Sequence, residues 1–146
     1  MLKSRKIMKY AVFNVSFKLI LRKNNKILVL TESATGFLDF PGGRIEKNEI
    51  KMPLKDLFKR EIAEELGKNV KYEILGPVIQ YRRYNKYTKM SALITAYEAK
   101  YLSGKIKLSN EHNKYEWVDP KTYSLKDKKI NNEEERLAFE NYFKKG

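Results

Sequence analysis

The sequence predicts an α/β fold: a mixed β-sheet with helices on both sides. Three observations predict it. Strand-like runs recur along most of the chain, only two stretches carry helical periodicity, and those two are separated by strands. No internal repeat or linker interrupts the 146 residues, a length that suits one domain, 1–146, with its own core.

The elements follow in order. Across residues 11–21, Phe13, Val15, Phe17 and Leu19 alternate with Asn14, Ser16 and Lys18, the pattern of a strand with one polar face. Lys23-Asn24-Asn25-Lys26 is a turn signal, and Ile27–Leu30 a short apolar strand that closes a hairpin. A polar loop, Thr31–Gly36, leads to Phe37–Phe40 and the punctuation Pro41-Gly42-Gly43. A helix then runs from Leu54 to a C-cap at Gly67. Val70–Leu75 reads as a strand broken at Gly76-Pro77, and Val78–Tyr84 and Met90–Leu102 as two longer strands. Tyr115–Val118 is a short strand before Asp119-Pro120. Asn131 or Asn132 caps a last helix with Glu133, Glu134 and Glu135 in its first turn, and Leu137, Phe139, Tyr142 and Phe143 supply its buried face.

The first helix carries the chemistry. Leu54, Leu57, Phe58, Ile62 and Leu66 form one apolar stripe. Glu61 and Glu65 project into that stripe, and Glu64 sits at its edge. A carboxylate on a buried stripe is costly unless compensated, and neighbouring carboxylates repel one another. A divalent cation resolves both, and hard oxygen donors suit Mg²⁺ or Mn²⁺.

The stretch GGRIEKNEIKMPLKDLFKREIAEELG, residues 42–67, resembles the signature of the Nudix hydrolases. That box reads G, five residues, E, seven residues, then R-E-U-x-E-E-x-G-U, with U a bulky aliphatic. Gly43, Glu49, Arg60, Glu61, Ile62, Glu64, Glu65 and Gly67 match it. Two positions depart. Lys68 stands at the last U, and ten residues instead of seven separate Glu49 from Arg60, the extra three falling around Ile50-Lys51-Met52. Pro53, suited to the first turn of a helix, leaves the register from Leu54 onward intact.

The resemblance implies an α/β/α sandwich and hydrolysis of a phosphoanhydride with bound Mg²⁺ or Mn²⁺. Glu61 and Glu65, one turn apart on the same face, are the first choice as metal ligands and Glu64 the second. The resemblance implies the main-chain carbonyl of Gly42 as a further ligand, and any of the three glutamates, most often Glu61, as the group that orients or deprotonates water. Arg60 is expected to hold a glutamate by a bidentate bond. A further acid is common in the family on a loop before a short strand with Trp. Glu111, ahead of Trp117, is the candidate ligand, with Glu98 and Glu116 as alternatives. His112, the only histidine, is read as an incidental loop residue.

Substrate recognition is assigned to Arg82, Tyr84 and Phe40. In Tyr81-Arg82-Arg83-Tyr84, aromatic and guanidinium groups suit a base and phosphates, and alternation puts Tyr81 and Arg83 on one face and Arg82 and Tyr84 on the other. A plain cross-strand aromatic ladder explains the same residues.

Composition excludes several chemistries. Without cysteine there is no disulfide, zinc–thiolate site or thiol nucleophile. Lys3, Arg5 and Lys6 before an apolar run resemble a signal peptide, but the alternation that follows breaks the run. No stretch is long enough to span a membrane, and a cytoplasmic protein is expected. The net charge of +13 would speed capture of polyanions. The expected partner is a small nucleotide: a nucleoside triphosphate, a dinucleoside polyphosphate or an ADP-ribose type. RNA 5′-end pyrophosphate removal, or a non-catalytic nucleotide- or RNA-binding regulator, stands as the alternative.

Overall fold

The computed structural model describes residues 9–146; Lys3, Arg5 and Lys6 lie outside them. Seven strands form one sheet: β1 (Phe13–Lys23), β2 (Lys26–Glu32), β3 (Leu38–Asp39), β4 (Gly42–Arg44), β5 (Lys71–Asn85), β6 (Met90–Ser103) and β7 (His112–Val118). Two α-helices, α1 (Leu54–Leu66) and α2 (Glu133–Lys145), flank it. The strand order is β3-β2-β1-β6-β5, with β4 added to β1 and β7 to β2. β1 and β6 run parallel from Phe13 beside Ser91 to Arg22 beside Lys100, and every other pairing is antiparallel.

The two faces of β1 explain the two layers. Leu19 and Leu21 point to one side and pack with Phe58, Ile62 and Leu66 of α1, together with Leu28, Leu30 and Ala99. Ile20 points to the other and packs with Phe139, Tyr142 and Phe143 of α2, together with Tyr81, Ile94 and Ala96. Each helix thus covers one face, as the alternation of elements predicts. The polar face read for β1 is not a solvent face, however. Ser16 and Lys18 are both buried, and Ile20 continues their side.

Two other readings are corrected. Residues 71–85 form one strand, not two. β5 lies at the edge of the sheet, so Gly76 and Pro77 are absorbed as shifts in its register against β6 instead of ending it. On α2 the buried side is Glu135, Phe139, Tyr142 and Phe143, whereas Leu137 is exposed, about half a turn away from Phe139. The cap is Asn132, whose side chain accepts from the Glu135 amide. At the β1–β2 turn Asn24 takes a φ of +58°, a left-handed conformation that asparagine tolerates.

The three inserted residues fall where the spacing puts them. A short 3-10 turn at Lys47–Glu49 runs into Ile50-Lys51-Met52, and Pro53 stands immediately before α1. Ile50 is 80 % exposed and Lys51 and Met52 are exposed beside it, so the three inserted residues carry none of the core. Deleting Ile50–Met52 is expected to keep the fold, since loop-closure entropy over three residues changes by only a few tenths of a kcal/mol. A thermal melt should shift by no more than about 3 °C. A loss of cooperative unfolding would show that the turn braces α1.

Candidate active site

The site is built at one end of the sheet, where α1 ends beside β4. The apolar contacts of Phe58, Ile62 and Leu66 fix the rotation of α1, and that rotation turns Glu61 and Glu65 inward under the Gly42–Gly43 backbone. Two glycines are needed there. Gly42 has φ +144°, and a Cβ on it would lie 2.0 Å from the Phe17 carbonyl oxygen. A Cβ on Gly43 would lie 2.5 Å from a Glu61 carboxylate oxygen. The β4 backbone therefore passes between β1 and the helix carboxylates with no room for side chains.

Arg60 organises the outer half of the site. Its Nη2 donates to Glu49 Oε1 at 2.7 Å while Nε donates to Oε2, the bidentate bond expected of it. The same guanidinium reaches Glu61 Oε1 at 2.9 Å and Glu64 Oε1 at 3.3 Å. Glu49 is buried and also accepts the Glu46 amide at 3.0 Å, so it belongs to the site despite the longer spacing to Arg60. Arg60 holds the Glu49 carboxyl below its ordinary pKa. Burial pushes Glu61 up, partly offset by Arg60. Glu64 is exposed.

Glu65 organises the inner half. Its Oε1 accepts the Gly42 amide at 3.2 Å, and the residue is 4 % exposed. Burial pushes its pKa up to about 7, against the opposing pull of the Lys18 charge, the Gly42 amide and His112. Glu111, from the loop before β7, is exposed, and it brings a carboxylate oxygen into a group with Glu65 and His112 whose ligand atoms lie within 4.8 Å of one another. Of the acids assigned to metal binding, the structure thus brings Glu65 and Glu111 together, holds Glu61 against Arg60 and Gly43, and joins Gly42 to Glu65 through its amide N–H. The alternatives to Glu111 are engaged elsewhere: Glu98 pairs with Arg22 and Tyr142, and Glu116 with Lys114.

Behind Glu65 lies a buried charge network that the sequence reading missed. Asp39 at the end of β3 accepts from Lys18 Nζ at 3.2 Å, lies 3.1 Å from His112 Nε2, and faces Arg83 Nη2 at 3.7 Å. Arg83 in turn donates to Glu135 of α2 at 2.7 Å. Burial alone would raise the Asp39 pKa, but Lys18, His112 and Arg83 hold it well below the usual carboxylate range. Burial likewise opposes charge on His112, yet the Asp39 bond and the charges of Asp39 and Glu65 raise its pKa. His112 is buried, not incidental. The available signal was Lys18, a charge on the same side of β1 as Ile20.

The expected substrate contacts divide. Arg82 and Tyr84 point outward from β5 and are exposed, with Arg82 bound to Glu134 at 2.9 Å. Tyr81 and Arg83 point inward, as alternation predicts. Phe40 is corrected: it is fully buried, edge-on to Phe139, and its ring has no face free for a base.

A family model described as the NUDIX domain matches residues 13–139. Solved structures share the fold. A MutT protein from Methanosarcina mazei Go1 superposes with a TM-score of 0.68 at 23 % identity, covering 92 % of this chain and 93 % of its own. A MutT NUDIX hydrolase from Burkholderia pseudomallei gives 0.68 at 19 % identity, covering 88 % and 97 %. An ADP-ribose pyrophosphatase from Streptococcus suis 89-1591 gives 0.56 at 19 % identity, covering 90 % and 92 %. No match is found among curated proteins. The chain belongs to the Nudix family, and is an enzyme of the pyrophosphohydrolase type. Nudix hydrolases use a divalent metal, and the donors here fit one: Glu61 and Glu65 are buried carboxylates whose pKa values burial raises, a site short of positive charge.

Glu65 supplies a stability test. It binds its proton more tightly in the folded chain than at its ordinary value of 4.5. Folding stability therefore falls as pH rises from there to about 7, and the loss is complete above that. The full loss is about 3 kcal/mol. In chelator, Glu65→Gln should melt with the wild type at about pH 4 and above it at about pH 8.5. A variant no more stable than wild type at the higher pH would remove the burial penalty.

Proposed function

We propose that the protein is a Mg²⁺- or Mn²⁺-dependent hydrolase that cleaves the pyrophosphate linkage of a nucleoside diphosphate joined to another moiety. The observation that carries the reading is the pair of buried glutamates, Glu61 and Glu65, under the Gly42–Gly43 backbone, with Arg60 clamped on Glu49 beside them. Glu61, Glu65, Glu111 and the Gly42 carbonyl would hold the ion. When bound, a divalent ion offsets charge on the phosphoryl oxygens and acidifies water.

The chain's own residues do the rest. Glu64, exposed at the rim, or Glu61 accepts the proton of the attacking water. Arg60 ties Glu49, Glu61 and Glu64 into one constellation, fixing carboxylates that would otherwise repel. Arg82 and Tyr84 are the proposed nucleotide contacts, a guanidinium for phosphate and a ring for the base; a substrate phosphate would compete with Glu134 for Arg82. An ADP-ribose pyrophosphatase among the structural neighbours supports a substrate of this class. The absence of cysteine supports a cytoplasmic setting, and no helix among the described residues is long and apolar enough to cross a membrane.

The net charge of +13 favours one second reading, RNA 5′-end processing. Salt dependence separates the two. A long polyanion contacts many cations together and loses affinity steeply with salt, whereas a free nucleotide touches few. Turnover of nucleoside triphosphate, dinucleoside polyphosphate and ADP-ribose substrates, measured beside a triphosphorylated RNA from low to physiological salt, should show nucleotide hydrolysis with a shallow salt slope. RNA turnover that persists at physiological salt, with negligible nucleotide hydrolysis, would reverse the ranking.

A further inference from the structure

We propose that the imidazole of His112 is itself a metal ligand, binding through Nδ1 beside Glu65 and Glu111, so that the centre is a mixed nitrogen–oxygen site. The proposal rests on the metal-dependent reading above and concerns which atoms of this chain hold the ion.

The tautomer follows from the neighbours. Asp39 is bound by Lys18 Nζ at 3.2 Å and faced by Arg83, so it is an ionised acceptor. His112 Nε2, 3.1 Å from Asp39 Oδ2, is therefore the donor. In a neutral ring that leaves Nδ1 with a lone pair. Nδ1 is buried and has no hydrogen-bond partner. It stands 3.8 Å from Glu65 Oε1, beyond hydrogen-bond length. The residue is 5 % exposed, yet its free nitrogen faces the Glu65 carboxylate, and the ring shares with Glu65 and Glu111 a group of ligand atoms within 4.8 Å of one another. A carboxylate that fixes one imidazole nitrogen so that the other presents a lone pair to an ion is how metal-binding histidines are held.

The competing account is an imidazolium bridging Asp39 and Glu65 as a purely structural ion pair. It would place a proton on Nδ1 with its acceptor too far for a hydrogen bond. A nitrogen donor also changes selectivity. Mg²⁺ prefers oxygen alone, while imidazole suits the transition metals, so Mn²⁺ and Co²⁺ should be favoured beyond what carboxylates alone provide.

The chain has a single histidine, so any imidazole signal assigns itself. Tag-free wild-type protein loaded with Mn²⁺ is examined by electron spin echo envelope modulation, once unlabelled and once with ¹⁵N-histidine. An imidazole nitrogen coupling that changes with the label is expected. Titrations of His112→Gln should show Mn²⁺ affinity reduced on the order of tenfold or more, with a smaller change for Mg²⁺. The wild-type spectrum stands even if the variant folds poorly. Bound Mn²⁺ with no histidine-derived coupling overturns the proposal and leaves the hydrolase reading in place. Failure of the protein to bind Mn²⁺ or Mg²⁺ at all overturns both.

Discussion

The Glu65 carboxyl is buried at the last turn of α1 with one amide bond to Gly42 and incomplete charge compensation, and the surrounding structure is arranged around that position. A buried carboxylate without a partner costs several kcal/mol if it stays ionised, so it takes up a proton or waits for a cation. Its pKa of about 7 expresses that choice. Apolar packing of Phe58, Ile62 and Leu66 keeps Glu65 there, because rotating α1 to free the carboxyl would expose these three side chains. Fully burying an apolar side chain of this size contributes about 1.5–3 kcal/mol, so together they outweigh the electrostatic penalty.

The charges behind the site are arranged for orientation more than for stability. Lys18, Asp39, Arg83 and Glu135 form a buried chain from β1 to α2, and Glu135 is wholly inaccessible. Pairs of this kind seldom add net stability, but removing one partner strands the other. Arg83 joins Glu135 at the start of α2 to Asp39 beside His112, so the N-terminal turn of α2 and the inner wall of the site are placed by the same contacts. Arg60 has the equivalent role outside, drawing Glu49, Glu61 and Glu64 together.

Much of this was legible in the sequence because it is local. The stripe of α1 and the inward turn of Glu61 and Glu65 follow from a period of 3.6 residues, and the one-helix-per-face layering follows from the alternation of strands with two helices. Val70–Tyr84 was misread because Gly-Pro ends a central strand but not an edge strand, and edge status depends on the whole sheet. Phe40 sits beside the Gly-Gly turn in sequence, but its ring is directed into the α2 layer. Asp39 and His112 are 73 residues apart, and their contact exists only because β2 pairs with both β3 and β7. No spacing rule reports such a contact.

If the account is right, Glu65 is largely protonated at slightly acid pH until an ion arrives, and binding must expel that proton. Calorimetric titration of Mn²⁺ into the protein, repeated in buffers of different ionisation enthalpy, counts protons released. At about pH 6 Glu65 is expected to contribute on the order of one proton per ion, a share that declines toward none at about pH 9 and is missing in Glu65→Gln. Stoichiometric binding at about pH 6 without proton release would show that Glu65 is already ionised in its buried position, and would contradict the account.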